Sequence, residues 1–125
     1  MPRCVSPRGI ADGCIAVTGN TVIDALLEIS ARIDHDPAVS ADLEREFAFL
    51  DATRPIVLVT GHRRENFGAP FLNLCEAIRD LSRAHAVQVV YPVHLNPNVQ
   101  SAVHAVLADV PHVHLLPPLD YLPFV

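Results

Sequence analysis

Four ionisable residues, His62, Arg63, Arg64 and Glu65, stand in a row directly after Gly61. Two guanidinium forks and an imidazole at one point of the chain suit an anionic group, most simply a phosphate or diphosphate. The fork geometry of arginine matches phosphate oxygens pairwise. Glu65 can orient Arg63 or Arg64 through a salt bridge. A second polar cluster, His94-Leu95-Asn96-Pro97-Asn98, lies about thirty residues on, again just after an apolar run. There Asn96 and Asn98 read as turn and N-cap residues around Pro97 rather than as ligands. The remaining histidines show no Cys or acidic partner at ligand spacing. His112 and His114 would share a strand face, yet no metal site is expected, and no cofactor.

These clusters need elements to carry them. Val57-Leu58-Val59-Thr60 is apolar and β-branched and stops at a glycine, so it reads as a buried strand, Ile56–Thr60, delivering the charged loop to a helix. Phe71, Leu74, Cys75, Ile78 and Leu81 recur at helical spacing over Phe71–Ala84. Val87–Tyr91 is the next strand. Pro92–Asn98 is expected to be a loop, since its two prolines exclude regular structure through it. Val99–Leu107 is a short helix, Val113–Leu116 a third strand, and Asp120–Val125 opens like a helix. Such alternation is the pattern of a parallel α/β sheet. Ligands there sit at the carboxyl ends of the strands, where both polar clusters fall.

Before Arg54 the pattern differs. Cys14–Gly19 is expected to be a short buried strand, with Asn20 or Thr21 capping a helix that runs to about Ile33. His35-Asp36-Pro37 is expected to break the chain, and a second helix to cover Ser40–Leu50. Tyr91 and Phe67 read as core and loop anchors. Three strands make a thin sheet, so one unfilled apolar face and an exposed strand edge are expected.

The bulk numbers narrow the function classes. The chain has 125 residues, is 50% apolar and 18% charged, and carries a net charge of −5. That is globular, with no basic stripe for nucleic acid. Three widely spaced cysteines, Cys4, Cys14 and Cys75, form neither a disulfide framework nor a CxxC metal site. A reducing, cytoplasmic setting is expected. No apolar run is long enough to span a membrane, and the first residues lack the apolar core of a signal peptide.

Three segments are more specific than composition. They are Val17-Thr18-Gly19-Asn20-Thr21-Val22-Ile23-Asp24-Ala25-Leu26, Gly61-His62-Arg63-Arg64-Glu65-Asn66-Phe67-Gly68 and Val90-Tyr91-Pro92-Val93-His94-Leu95-Asn96-Pro97-Asn98-Val99. In this order they resemble the bacterial non-hydrolysing UDP-N-acetylglucosamine 2-epimerases, and Pro118–Val125 fits the same family. The resemblance implies a Rossmann-like parallel sheet, part of a two-domain fold of the glycosyltransferase-B type. Residues 1–53 would end the first domain and supply the crossover helices. Residues 54–125 would begin the second, nucleotide-binding domain.

The implied reaction interconverts UDP-N-acetylglucosamine and UDP-N-acetylmannosamine, an isomerisation that feeds polysaccharide biosynthesis. UDP is eliminated to leave a 2-acetamidoglucal and is then added back. The resemblance makes His62 a catalytic group at the diphosphate and Arg64 a diphosphate ligand. It puts Arg63 and His94 at an allosteric UDP-N-acetylglucosamine site. It further implies a homodimer for the full-length enzyme, with UDP-N-acetylglucosamine as substrate and effector, and no nucleic-acid or membrane partner. The family's acid/base carboxylates would lie before this stretch and its ribose-binding groups after it. The chain is therefore read as a middle third, inactive alone. The competing readings are a glycosyltransferase of the same architecture, a non-catalytic sugar-nucleotide-binding module, and a truncation product without activity.

Overall fold

The computed structural model describes residues 12–61 and 69–125. Its centre is a three-stranded parallel sheet in the order β1 (Ile56–Leu58), β2 (Gln88–Pro92), β3 (Val113–Leu116). The register sets Ile56 beside Gln88 and Val89 beside Val113. Two helices make the crossovers, α3 (Ala69–Ala84) between β1 and β2 and α4 (Pro97–Leu107) between β2 and β3.

Alternation along the strands sorts the sheet's two faces. Val89 and Tyr91 point with Val57, Val59, Val113 and Leu115 into the core, against Phe71, Cys75 and Ile78 of α3 and Val99, Val103 and Leu107 of α4. Both helices therefore cover one face, as right-handed crossovers between sequential neighbouring strands require. Ser82 on α3 donates to the carbonyl of Pro111 at 2.8 Å, which ties the crossover helix to the entry of β3. The opposite face carries Ile56, Leu58, Gln88, Val90 and His114. Ile56 and Leu58 there are 55% and 47% exposed, the thin and partly open sheet that the pattern predicts.

Over that second face stand α1 (Thr21–His35) and α2 (Pro37–Glu46), a hairpin in which neither helix has a buried residue. Gly19 has φ +91, a conformation that other residues reach only with strain, and it turns the chain into the cap of α1. Asn20 is that cap, accepting from the Val22 amide at 3.1 Å. Asp36 joins the helices on its own. Its N–H closes α1 onto the Arg32 carbonyl, and its carboxylate accepts from Ala38 and Val39 to open α2.

Several sequence expectations shift, and β1 ends at Leu58 rather than Thr60. Cys14–Gly19 is not a strand. A 3-10 turn covers Asp12–Cys14, and the rest is exposed, Val17 to 91%. An apolar run becomes a strand only where a sheet edge accepts it, and none of the three described strands pairs with this one. The second helix starts at Pro37, not Ser40, because proline at the first helical position lacks only an N–H with no helical partner anyway. It ends at Glu46, earlier than expected, where the chain turns toward β1. The expected loop Pro92–Asn98 shrinks to residues 93–96. Pro92 closes β2, where the strand ends, and Pro97 opens α4 for the same reason as Pro37. The final turn, α5 (Tyr121–Phe124), forms as expected.

Candidate functional site

At the C-terminal ends of the strands lies a cleft of about 220 Å³, lined by Thr60, Gly61, Pro92, His94, Pro118, Leu119 and Phe124. Each strand end contributes. Thr60 and Gly61 follow β1, His94 follows β2, and Pro118 and Leu119 follow β3. This is the edge at which open α/β sheets bind ligands.

Gly61 is tied in place from beneath. The hydroxyl of Tyr91, itself fully buried, donates to the Gly61 carbonyl at 3.0 Å. A side chain at Gly61 would come within 3.4 Å of that hydroxyl. Burial first, and then the neighbouring Cys75, push the Tyr91 hydroxyl up to about 12, so it remains a donor over the physiological range. Tyr91 is thus the core anchor that its place in an apolar run predicts, and it holds the residue from which the chain enters His62.

His94 is exposed at the mouth of the cleft. Its Nδ1 accepts from the backbone N–H of Asn96 at 3.1 Å. A neutral ring in that arrangement carries its proton on Nε2, which suits it to donate to an anionic oxygen. Asn96 in turn caps α4, its side chain accepting from the Asn98 amide at 2.9 Å. The Val99 and Gln100 amides close on the Asn96 carbonyl. One short loop therefore both starts a helix and orients a histidine, and because the helix opens at Pro97 rather than Val99 the capping asparagine of the pair is Asn96.

Of the residues singled out from sequence, His94 lies in the cleft. His62, Arg63, Arg64, Glu65 and Phe67 fall outside the described residues, although Gly61, immediately before them, lines the cleft. The sequence reading assigns no site role to Thr60, Pro118, Leu119 or Phe124. Their positions just past β1 and β3 were the available signal. His114, left structural, packs its ring 5.0 Å from that of Phe49. Among the described residues no three His, Cys, Asp or Glu side chains gather as a metal site. No described helix is long and apolar enough to cross a membrane.

The family model for UDP-N-acetylglucosamine 2-epimerase matches residues 3–125. The chain belongs to that family. UDP-N-acetylglucosamine 2-epimerase of Yersinia pestis is 49% identical over 117 residues, which cover 93% of this chain and 31% of that protein. The Salmonella typhimurium enzyme of the same name is also 49% identical, over 119 residues. The chain spans about a third of the length of these relatives. The crystal structure of the Neisseria meningitidis 2-epimerase bound to UDP-GlcNAc superposes with a TM-score of 0.83 at 37% identity, covering 92% of this chain and 31% of that one. The S. aureus MnaA–UDP structure superposes at 0.69 with 30% identity, covering 93% of this chain and 30% of that one. The α/β class and the Rossmann-like parallel sheet of the two-domain epimerases are thus shared by this stretch of chain.

Proposed function

We propose that this chain supplies the middle third of a cytoplasmic enzyme that interconverts UDP-N-acetylglucosamine and UDP-N-acetylmannosamine. The observation that carries the reading is the cleft where Gly61 and His94 meet at the carboxyl edge of the sheet, in a chain of the 2-epimerase family. Relatives that superpose on it bind UDP-GlcNAc or UDP. Division into residues 1–53 and 54–125 is supported by the packing. The α1–α2 hairpin buries none of its residues, whereas the sheet with α3 and α4 holds the core.

Breaking the bond from the sugar's anomeric carbon to UDP leaves growing negative charge on the diphosphate. A positioned imidazolium and guanidinium lower the barrier because they meet a charge that is larger in the transition state than in the substrate. His62 and Arg64 take those roles. Arg63 and His94 hold a second UDP-N-acetylglucosamine as effector, the His94 ring being held by the Asn96 amide. The enzyme works as a homodimer and serves polysaccharide biosynthesis.

A chimera tests this. Replacing the matching 117 residues of the Yersinia pestis enzyme with this chain should retain interconversion of the two sugar nucleotides. His62→Ala in the chimera should lower kcat by about 10²-fold. Arg63→Ala and His94→Ala should remove any effect of added UDP-N-acetylglucosamine as effector, read as the rate with and without it, and leave the active-site chemistry in place. A folded chimera that binds UDP but interconverts nothing would overturn the reading in favour of a binding module.

A further inference from the structure

The hairpin meets the sheet across an apolar groove of about 350 Å³, with Leu43 and Phe47 on one side and Ile56, Leu58 and Val90 on the other. Close packing between the two is therefore limited, and something else must fix their angle. The structure points to one buried amide.

Gln88 is the first residue of β2 and is 1% exposed. Its side chain reaches the turn Asp51–Arg54, which joins the end of the hairpin to β1. The Gln88 Oε1 accepts from the Asp51 N–H at 2.9 Å. The Nε2 donates to the carbonyl of Asp51 at 2.7 Å and to that of Arg54 at 3.1 Å. Both donors and the acceptor are used, and only this orientation of the amide satisfies all three partners. The outer side of the same turn closes on itself. The Asp51 carboxylate accepts from the Thr53 N–H at 2.9 Å and hydroxyl at 2.6 Å and from Arg54 Nε at 3.2 Å. Those bonds, Thr53's first, hold Asp51 below its ordinary value near 3.8. Beside the joint, the Phe49 ring lies against His114 of β3.

We propose that Gln88 is a positioning residue, whose amide locks the Asp51–Arg54 turn to β2 and so sets the angle between the α1–α2 hairpin and the sheet that carries the His94 cleft. A buried polar side chain so far from the cleft has no reason to be glutamine unless its bonding is specific. Leucine would fill the same volume without desolvating an amide. Leucine, however, would leave the Asp51 and Arg54 carbonyls and the Asp51 N–H without their partner. The joint does not depend on the proposed reaction. Its importance to catalysis does, since under that reading it spans the two domains.

Residual dipolar couplings on the whole chain test it. In the unsubstituted chain, amides of α1 and of β2 and α4 should report one common alignment. In Gln88→Leu, and in Gln88→Glu, which keeps the acceptor but has no donor when ionised, the hairpin should lose alignment relative to the sheet. The sheet's own couplings should stay unchanged, a separation that general destabilisation would not produce. Phe49→Ala, at a half-exposed site, should leave the common alignment intact. A hairpin that keeps its alignment in both Gln88 variants would overturn the proposal. Should those variants not fold, amide exchange in the unsubstituted chain decides. The Asp51 N–H should exchange as slowly as that of Val89, and exchange as fast as an exposed turn would overturn the proposal.

Discussion

At the scale of single residues, the clearest dependence of the cleft on the core is the bond from Tyr91 to the Gly61 carbonyl. Tyr91→Phe keeps the ring and the packing and removes only the donor, so it should cost about 1 kcal/mol. Urea unfolding should show this as a lower midpoint at an unchanged slope. The NMR signals of Thr60 and Gly61 should broaden or move, because the end of β1 has lost its tether. Residue chemistry was partly legible before any fold. An apolar run that ends in tyrosine argues for an anchored ring, and asparagines flanking a proline argue for a turn and a cap. The partners were not legible. Nothing in the order of residues says that Tyr91 bonds a carbonyl 30 residues earlier, or that Gln88 bonds carbonyls 34 and 37 residues earlier.

At the scale of elements, α4 shows how local chemistry and site geometry are shared. Asn96→Ala removes the cap on the Asn98 amide and should cost about 1 kcal/mol, measured by thermal unfolding. Because the bond to His94 Nδ1 comes from the backbone of residue 96, that contact should survive, and the His94 ring signals should change little. Helix periods located α1 and α3 well, since an apolar stripe at 3.6-residue spacing matches the turn of an α-helix and not the two-residue period of a strand. Boundaries at proline were read too strictly. Pro37 and Pro97 open helices because a first-turn N–H has no helical partner to lose. The run Cys14–Gly19 failed for a different reason. Strand propensity is a preference for a pleated, half-buried surface, and it is realised only where a neighbouring strand is present.

At the scale of the whole molecule, the segment that follows the hairpin meets the sheet at the Gln88 joint and at the Phe49–His114 ring contact. The partial burial of His114 is expected to make stability depend on pH. Burial first, and then the charge of His112, hold His114 below its ordinary value of 6.5. Above that value both the folded and unfolded forms are neutral there, and His114 contributes nothing. As the pH falls through it, the unfolded chain takes up a proton that the folded chain resists, so stability declines. Urea midpoints taken from about pH 8 to about pH 5 should fall more steeply for the parent than for His114→Phe. That variant keeps a ring against Phe49 but cannot titrate. The order of residues alone determined the α/β alternation, the parallel sheet, the capped helices and the placement of His94 past a strand end, because these follow from period, turn chemistry and strand-to-helix order. The tertiary structure alone decided which strand ends converge into a cleft and that Gln88 is buried against Asp51 and Arg54. It also decided that Cys14–Gly19 stays outside the sheet. Each of these depends on contacts between residues distant in the chain, and those exist only once the sheet has assembled.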